Sequence, residues 1–371
     1  MTEWYDHKID QMKRFRLSFF PYNDTIELYD LDFKKLCLRR TRCDTISRSD
    51  IFIGNSVRIY GRNVQIKEFA NKFTRDVMER EMEHTFALIK PGNLDSLGSY
   101  VNEIHARKFK ILRMRMRTMS RKEALDFYEN RKGDVFLPFT IENMVTGPLI
   151  GIELVGRNAV KRWREEIGPT DPEEARKTHP NSLRAKYGKN ISSNTFHGAC
   201  GPVEAEKEVK FFFPERKTTE ESTSAVKQST TCCVIKPHVI MDGQLGNVIG
   251  DILQSNLLEI TSLEMMYLNN WEMEEFLTVY SDVMSDFSAL VNSFLNGPCL
   301  VMELSGKNEG VDAQKVFKDL CGPADPDVAK QIRPNSLRAK YGVDMYKNAV
   351  YCTLLPEDSE MEIDYFFKIL D

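Results

Sequence analysis

Pro180-Asn181-Ser182-Leu183-Arg184-Ala185-Lys186-Tyr187-Gly188 occurs twice in this chain, returning unchanged as Pro334 to Gly342, 154 residues further on. Self-similarity of this kind decides the architecture before any local reading does. Other landmarks repeat in the same order. Gly168-Pro169-Thr170-Asp171-Pro172 corresponds to Gly322-Pro323-Ala324-Asp325-Pro326 at the same spacing. Gly147-Pro148 corresponds to Gly297-Pro298 at 150, and Ile89-Lys90-Pro91 to Ile235-Lys236-Pro237 at 146. A period near 150 residues is too long for a solenoid unit and is the size of a whole domain. The expected organisation is therefore a first copy over residues 83–214, a second over 230–371, and a polar, Thr/Ser-rich linker over 215–229.

Residues 1–80 match neither copy. Arg14–Phe20, Thr25–Asp30 and Ser56–Tyr60 alternate in strand fashion, Pro21-Tyr22-Asn23-Asp24 reads as a turn, and Phe69–Arg80 has helical spacing. In the first copy the pattern predicts strands at Thr85–Ile89, Lys110–Arg117 and Leu149–Leu154. Helices are expected at Ser99–Lys108, Arg121–Asn130 and Ala159–Glu166, with Ser120 and Glu123 as a capping box. A repeated β-α-β order predicts an α+β fold: two tandem ferredoxin-like α/β sandwich domains preceded by a small β-rich domain.

Composition narrows the function. Of 371 residues, 42% are hydrophobic and 29% charged, which suits packed cores and excludes a wholly disordered chain. Apolar runs such as Cys232–Ile235 fall far short of the ~20 residues of a membrane span. The start, Met1-Thr2-Glu3-Trp4-Tyr5-Asp6, has neither the basic nor the apolar region of a secretory signal, so a soluble chain of the cell interior is expected. Eight cysteines form no C-x-x-C pair and meet only six histidines, which points to reduced thiols rather than zinc or a disulfide framework. The net charge of −4 gives no case for nucleic acid. Residues 1–80 nevertheless carry a net +4 and the remainder a net −8, a hint of an acidic partner for the front end.

No G-x-x-x-x-G-K-[ST] stretch is present, so a P-loop is excluded, and any nucleotide must be held by side-chain cations. The candidate reactive group is His197, in Asn194-Thr195-Phe196-His197-Gly198, where Gly198 allows close backbone approach or a positive φ. A single histidine is weak on its own. Lys90, Arg164 and Arg184 in the same copy supply three cations able to hold a polyphosphate.

Ala-Leu-Ile-Lys-Pro near the start of the first copy, Thr-Gly-Pro before a strand, Gly-Pro-Thr-Asp-Pro, Ser-Leu-Arg and Asn-x-x-His-Gly together resemble the nucleoside diphosphate kinase family. The resemblance covers both copies. It implies that His197 is phosphorylated in a ping-pong transfer between nucleoside triphosphates such as ATP and nucleoside diphosphates. Glu208 would orient the ring. Lys90, Arg164 and Arg184 would stabilise the transferring phosphoryl group with Tyr128 assisting, Asn194 and Lys90 would meet the ribose, and Thr170 a phosphate. Phe136 would stack on the base, with ordinary core packing as the alternative. Magnesium would be held chiefly by the nucleotide phosphates, with no protein metal site. The family usually has Ser-Asp or Pro-Asp after His-Gly. Ala199-Cys200 stand here, which implies reduced turnover and an inert Cys200 thiol.

In the second copy Lys236, Arg338 and Asn348 remain, but Tyr351 stands at the histidine position and Lys318 replaces Arg164; His238 is incidental. That copy is expected to be catalytically dead, left with nucleotide binding or packing. The three-part layout resembles ciliary, double-domain members of the family, whose N-terminal domain is of a kind shared with axonemal proteins. It implies tubulin and other axonemal proteins as partners, and a place in the cytoplasm, cytoskeleton and cilium axoneme on doublet microtubules. A purely structural microtubule inner protein is the alternative. Neither nucleic acid nor membrane is implied. Family members form hexamers from dimers; a monomer docked on a larger lattice is expected here, with an internal pseudo-dimer of the two copies left open.

Overall fold

The computed structural model describes residues 1–6, 11–43, 46–60, 62–92, 94–129, 133, 135–214 and 230–370. The expected linker over 215–229 and the expected helix end at Asn130 lie outside them. The chain divides into two compact units, Met1–Met82 with Tyr267–Cys299, and Glu83–Met266 with Leu300–Asp371.

The first unit is built on a six-stranded antiparallel sheet: β1 (Thr2–Asp6), β2 (Gln11–Phe20), β3 (Thr25–Asp30), β4 (Lys35–Arg42), β5 (Ser56–Ile59) and β6 (Arg62–Ile66), in the order β4-β3-β2-β1-β6-β5. Alternation along β3 turns Ile26 and Leu28 inward to join Phe15, Val57, Ile59, Val64 and Ile66 in the core. The turn expected at Pro21–Asp24 joins β2 to β3, with Asp24 at φ 49°. Helix α1 (Lys72–Glu81) begins later than its periodicity predicts because the Asn71 side chain accepts from the Thr74 N–H and fixes the first turn.

The second unit carries both copies. The first runs β7 (Glu83–Ile89), α2 (Leu97–Ala106), β8 (Lys110–Arg117), α3 (Arg121–Phe127), α4 (Leu137–Met144), β9 (Leu149–Gly156), α5 (Ala159–Ile167), α6 (Pro172–Thr178), α7 (Leu183–Tyr187), β10 (Phe196–Gly198) and α8 (Pro202–Phe212). The second runs β11 (Thr230–Ile235), α9 (Pro237–Met241), α10 (Leu245–Gln254), β12 (Leu258–Met266), α11 (Asn270–Phe276), α12 (Phe287–Asn292), β13 (Cys299–Gly306), α13 (Ala313–Cys321), α14 (Pro326–Ile332), α15 (Leu337–Tyr341), β14 (Val350–Cys352) and α16 (Ser359–Asp364). Each copy is a ferredoxin-like α/β sandwich, with its fourth strand beside the first and its third beside the second. No helix among the described residues is long and apolar enough to cross a membrane.

The two half-sheets join into one, β10-β7-β9-β8-β12-β13-β11-β14, with β8 and β12 meeting at Arg115 and Glu264. Above that seam α2 packs on α10 so closely that a Cβ on Gly98 would lie 2.5 Å from the Gly246 oxygen and the Gly250 nitrogen. Asn102 donates to Asn247 across it at 2.7 Å, and Tyr100, Ile104, Val248 and Ile252 share one buried cluster. The duplication thus forms an internal pseudo-dimer.

Helices α11 and α12, though second-copy in sequence, belong to the first unit. There Arg58 donates to the Asn292 carbonyl and side-chain oxygens, and the Tyr267 hydroxyl lies 3.2 Å from Asn55 Oδ1.

Candidate active site

His197 lies on β10, a three-residue strand at the sheet edge, opposite Leu88 of β7. So short a strand is held mainly from outside. The Thr195 carbonyl accepts from the Lys90 backbone N–H at 2.8 Å, and Thr195 takes φ 64° to enter the strand. Asn194 Nδ2 donates to the Thr170 carbonyl at 2.9 Å. Arg184 clamps two loops at once. Its Nε and Nη2 donate to the Phe196 carbonyl and its Nη1 to the Gly168 carbonyl at 2.8 Å. Gly168 has φ 79°, and a Cβ there would strike Ser182 Oγ at 2.4 Å, so glycine is required twice over.

Trp163 of α5, fully buried, donates its indole N–H to the His197 carbonyl at 3.1 Å. A Cβ on Gly198 would meet Trp163 Cδ1 at 2.6 Å, so close approach is the reason for the glycine after the histidine. Sequence reasoning missed Trp163. Its spacing with Ala159, Val160 and Ile167 reads as the buried face of a helix, which it also is, and nothing local signals the bond to β10.

His197 Nε2 lies 3.0 Å from Glu208 Oε2, and both side chains are shielded from solvent. A carboxylate only accepts, so Nε2 carries the hydrogen and Nδ1 presents its lone pair. The rings of Phe127 and Tyr128 stand edge-on to the imidazole at 5.4 and 5.5 Å. Arg164 Nη1 donates to the Cys200 carbonyl at 3.0 Å, fixing the turn after the strand.

Two cavities open onto the imidazole. A cleft of about 1000 Å³ is lined by Tyr128, Arg164, Thr170, Arg184, His197 and Glu208. A smaller one of about 500 Å³ is lined by Lys90, Phe136, Thr140, Thr170, Asn194 and His197, with Arg184 shared between them. Phe136 is 45% exposed at the start of α4 and is therefore a wall rather than core. The structure brings every residue singled out in the first copy to these two cavities. Asn194 Oδ1 is buried there without a hydrogen-bond partner, as is Asn348 Oδ1 at the corresponding place in the second copy. Among the described residues no group of three His, Cys, Asp or Glu side chains could hold a metal ion.

The nucleoside diphosphate kinase family model matches the chain twice, over residues 83–218 and 229–370. The chain is a member of the nucleoside diphosphate kinase family. It is 34% identical over 371 residues to nucleoside diphosphate kinase homolog 7 of Rattus norvegicus, covering all of this chain and 93% of that protein. The homolog 7 of Mus musculus is likewise 34% identical, with the same coverage. The solved nucleoside diphosphate kinase of Aquifex aeolicus is 34% identical over 36% of this chain and 96% of its own, with a TM-score of 0.35.

The second kinase copy repeats most of this framework, although Phe317 at the place of Trp163 has no indole N–H to donate. Arg338 donates to the Val350 and Gly322 carbonyls, Asn348 Nδ2 to the Ala324 carbonyl, and Lys318 Nζ to the Leu354 carbonyl as Arg164 does to Cys200. Ala349 takes φ 72° where Thr195 takes 64°. The reactive position differs. Tyr351 stands on β14 opposite Val234 and donates to Glu362 Oε1 at 2.6 Å, while Thr353 donates to Glu362 Oε2 at 2.6 Å. Aligning the capping boxes Ser120/Glu123 and Asn269/Glu272 puts Leu277 at the place of Tyr128. Counting back from the paired Gly-Pro puts Asp286 at the place of Phe136. His238 lies on α9 and not on β14.

Proposed function

We propose that the first copy transfers the γ-phosphate between nucleoside triphosphates and diphosphates through a phosphohistidine at His197. The observation that carries this reading is the His197–Glu208 pair at 3.0 Å, set where two cavities lined by Lys90, Arg164 and Arg184 meet. Nδ1 attacks the γ-phosphorus. An N–P bond forms, the bridging P–O bond breaks, and the nucleoside diphosphate leaves with the electron pair. A second diphosphate then attacks the phosphohistidine with its terminal oxygen and restores the imidazole. Glu208 keeps the hydrogen on Nε2 and offsets the positive charge the ring acquires. Lys90, Arg164 and Arg184, with Tyr128, stabilise the equatorial oxygens, and Thr170 meets a phosphate. Asn194 and Lys90 take the ribose, and Phe136 stacks on the base. Magnesium carried by the nucleotide phosphates neutralises their charge. Ala199 offers Glu208 no hydroxyl, whereas Thr353 does so for Glu362, and turnover is accordingly reduced.

The second copy is inactive in this reading because a phenol replaces the imidazole. Its loss of chemistry with retention of framework favours a scaffolding role as well, on axonemal doublet microtubules in contact with tubulin and neighbouring proteins. Family resemblance and the basic front end support that placement. Incubation with γ-labelled ATP and Mg²⁺ should leave acid-labile phosphate on the protein and none on His197→Ala; an unlabelled wild-type chain refutes the kinase reading. Cosedimentation with axonemes that survives His197→Ala supports the scaffold, and a chain wholly released on deciliation refutes it.

A further inference from the structure

Thr170, Arg184 and His197 line both cavities and so mark where the two meet, whereas Phe136, Thr140, Glu174 and Ile191 line the smaller one alone. Phe136 and Thr140 stand four residues apart at the start of α4. Asn143 of the same helix donates from Nδ2 to Ser193 Oγ at 3.1 Å, tying the loop that carries Ile191 to α4. Two carboxylates reach this cavity, both from α6 or its cap. Asp171 Oδ1 is committed to the Glu173 N–H at 2.9 Å. Glu174 is exposed at the cavity wall, and its carboxylate has no partner among the described residues.

The helix does not need Glu174. In the second copy α14 keeps the cap Asp325, the buried Pro326 and Ala329, and an acid, Asp327, at the place of Glu173. Val328 stands at the place of Glu174. Glu174 is therefore lost together with Phe136 and His197, which Asp286 and Tyr351 replace, and not kept with the tethers Arg338 and Asn348. It behaves as a cavity-lining group.

We propose, resting on the kinase reading above, that Glu174 reads the base and makes guanine nucleotides the preferred substrates of the first copy. A carboxylate only accepts hydrogen bonds. Guanine presents two adjacent donors on one edge, N1–H and the N2 amine, which can bond both carboxylate oxygens in parallel. Adenine and cytosine present one amine beside a ring-nitrogen lone pair, and uracil and thymine a single N–H between two carbonyls. Each of these sets an acceptor against the negative charge. Stacking on Phe136 is open to every base, so discrimination falls to the polar group at the edge.

Calorimetric titration of the full chain with guanosine, inosine and adenosine diphosphates in Mg²⁺ tests this without turnover. The guanosine diphosphate should bind about tenfold more tightly than the adenosine diphosphate, with the inosine diphosphate, which lacks the N2 amine, between them. Glu174→Ala should bring the three within about twofold of one another. Glu174→Gln, whose amide sets a donor beside an acceptor, should reverse the order, because that pattern complements the adenine edge. Equal affinities in the wild type, or a guanine preference that survives Glu174→Ala, overturn the assignment. Labelling the same samples with γ-labelled GTP and ATP separates this from the kinase reading. Label on His197 with equal affinities overturns base readout alone. Guanine-selective binding without label overturns phosphoryl transfer alone, and no binding of any nucleotide overturns both.

Discussion

Replacing Glu208 tests the link between geometry and chemistry most directly. The His197–Glu208 contact of 3.0 Å joins two side chains no more than 12% exposed, so solvent screens it little. A hydrogen bond to a charged group contributes about 1.5–3 kcal/mol. As Nδ1 bonds to phosphorus the ring becomes cationic and its Nε2–H a stronger donor, so most of that energy is expressed in the transition state. At 1.36 kcal/mol per tenfold, Glu208→Ala should slow phosphorylation about ten- to hundredfold. Glu208→Gln, which keeps an acceptor but no charge, should fall nearer tenfold. Glu208 does not line the Lys90–Phe136 cavity, so KM for the nucleotide should stay within about twofold. Rapid-quench measurement of acid-labile phosphate from γ-labelled ATP at saturation gives the rate. Wild-type rates in both variants, or a change confined to KM, would refute the assignment of Glu208 as the ring's anchor.

Trp163→Phe, which copies Phe317 of the second copy, should cost about 1 kcal/mol in denaturant melts and slow labelling several-fold at unchanged KM, because the His197 carbonyl loses its donor. Gly98→Ala should destabilise the two-copy unit by about 2 kcal/mol in urea titration: roughly 3 kcal/mol of overpacking against backbone, offset by ~1 kcal/mol of helix preference. Glu153 and Glu303, equivalent in the two copies, should respond oppositely to pH in thermal melts. Burial alone would raise the Glu153 carboxyl, but His84 and Arg113 hold it low, so its stabilisation is full above the unfolded value and lost as pH falls through the folded one. Burial raises Glu303, so stability declines as pH rises from the unfolded value through the folded one; Glu303→Gln should be neutral or stabilising at pH 7 and Glu153→Gln destabilising. Tyr351→His in a His197→Ala background should restore labelling about a thousandfold below the first copy, since Lys318 and Ala324 still lack the contacts of Arg164 and Thr170.

What could be read from the sequence was what local chemistry decides. Pro180–Gly188 is a self-contained device: Ser182 accepts from the Ala185 N–H to start α7, Gly188 ends it, and the second copy repeats both features at Ser336 and Gly342. The strand Lys110–Arg117 and the Ser120/Glu123 capping box are legible for the same reason. Strand β4, Lys-Leu-Cys-Leu-Arg-Arg-Thr-Arg, is not. It is an edge strand, where charge on either face is tolerated and even protective, so the alternation that marks β3 is absent. Of the candidate site, His197, Lys90, Arg164 and Arg184 were legible as residue types within one copy, whereas Glu208, eleven residues after His197, was assigned through the family resemblance. The attachment of Tyr267–Cys299 to the N-terminal unit was not, because it rests on pairings such as Arg58 with Asn292 that only the folded chain brings together.

The retained residues of the second copy acquire a different meaning from these contacts. Arg338 and Asn348 bind backbone carbonyls in the same pattern as Arg184 and Asn194, and without those bonds a three-residue strand at a sheet edge has little to hold it. Lys318 keeps the single donor that the turn after β14 requires, which a lysine supplies as well as an arginine, but loses the planar fork suited to phosphate. Tyr128, Phe136, Thr170 and His197 are not among these tethers, and their places are taken by Leu277, Asp286, Ala324 and Tyr351. Selection for the fold alone therefore suffices to preserve Arg338, Asn348 and a cation at 318. Their presence is no argument for nucleotide binding by the second copy, whereas the joint presence of tethers and cavity-lining groups in the first copy is an argument for chemistry there.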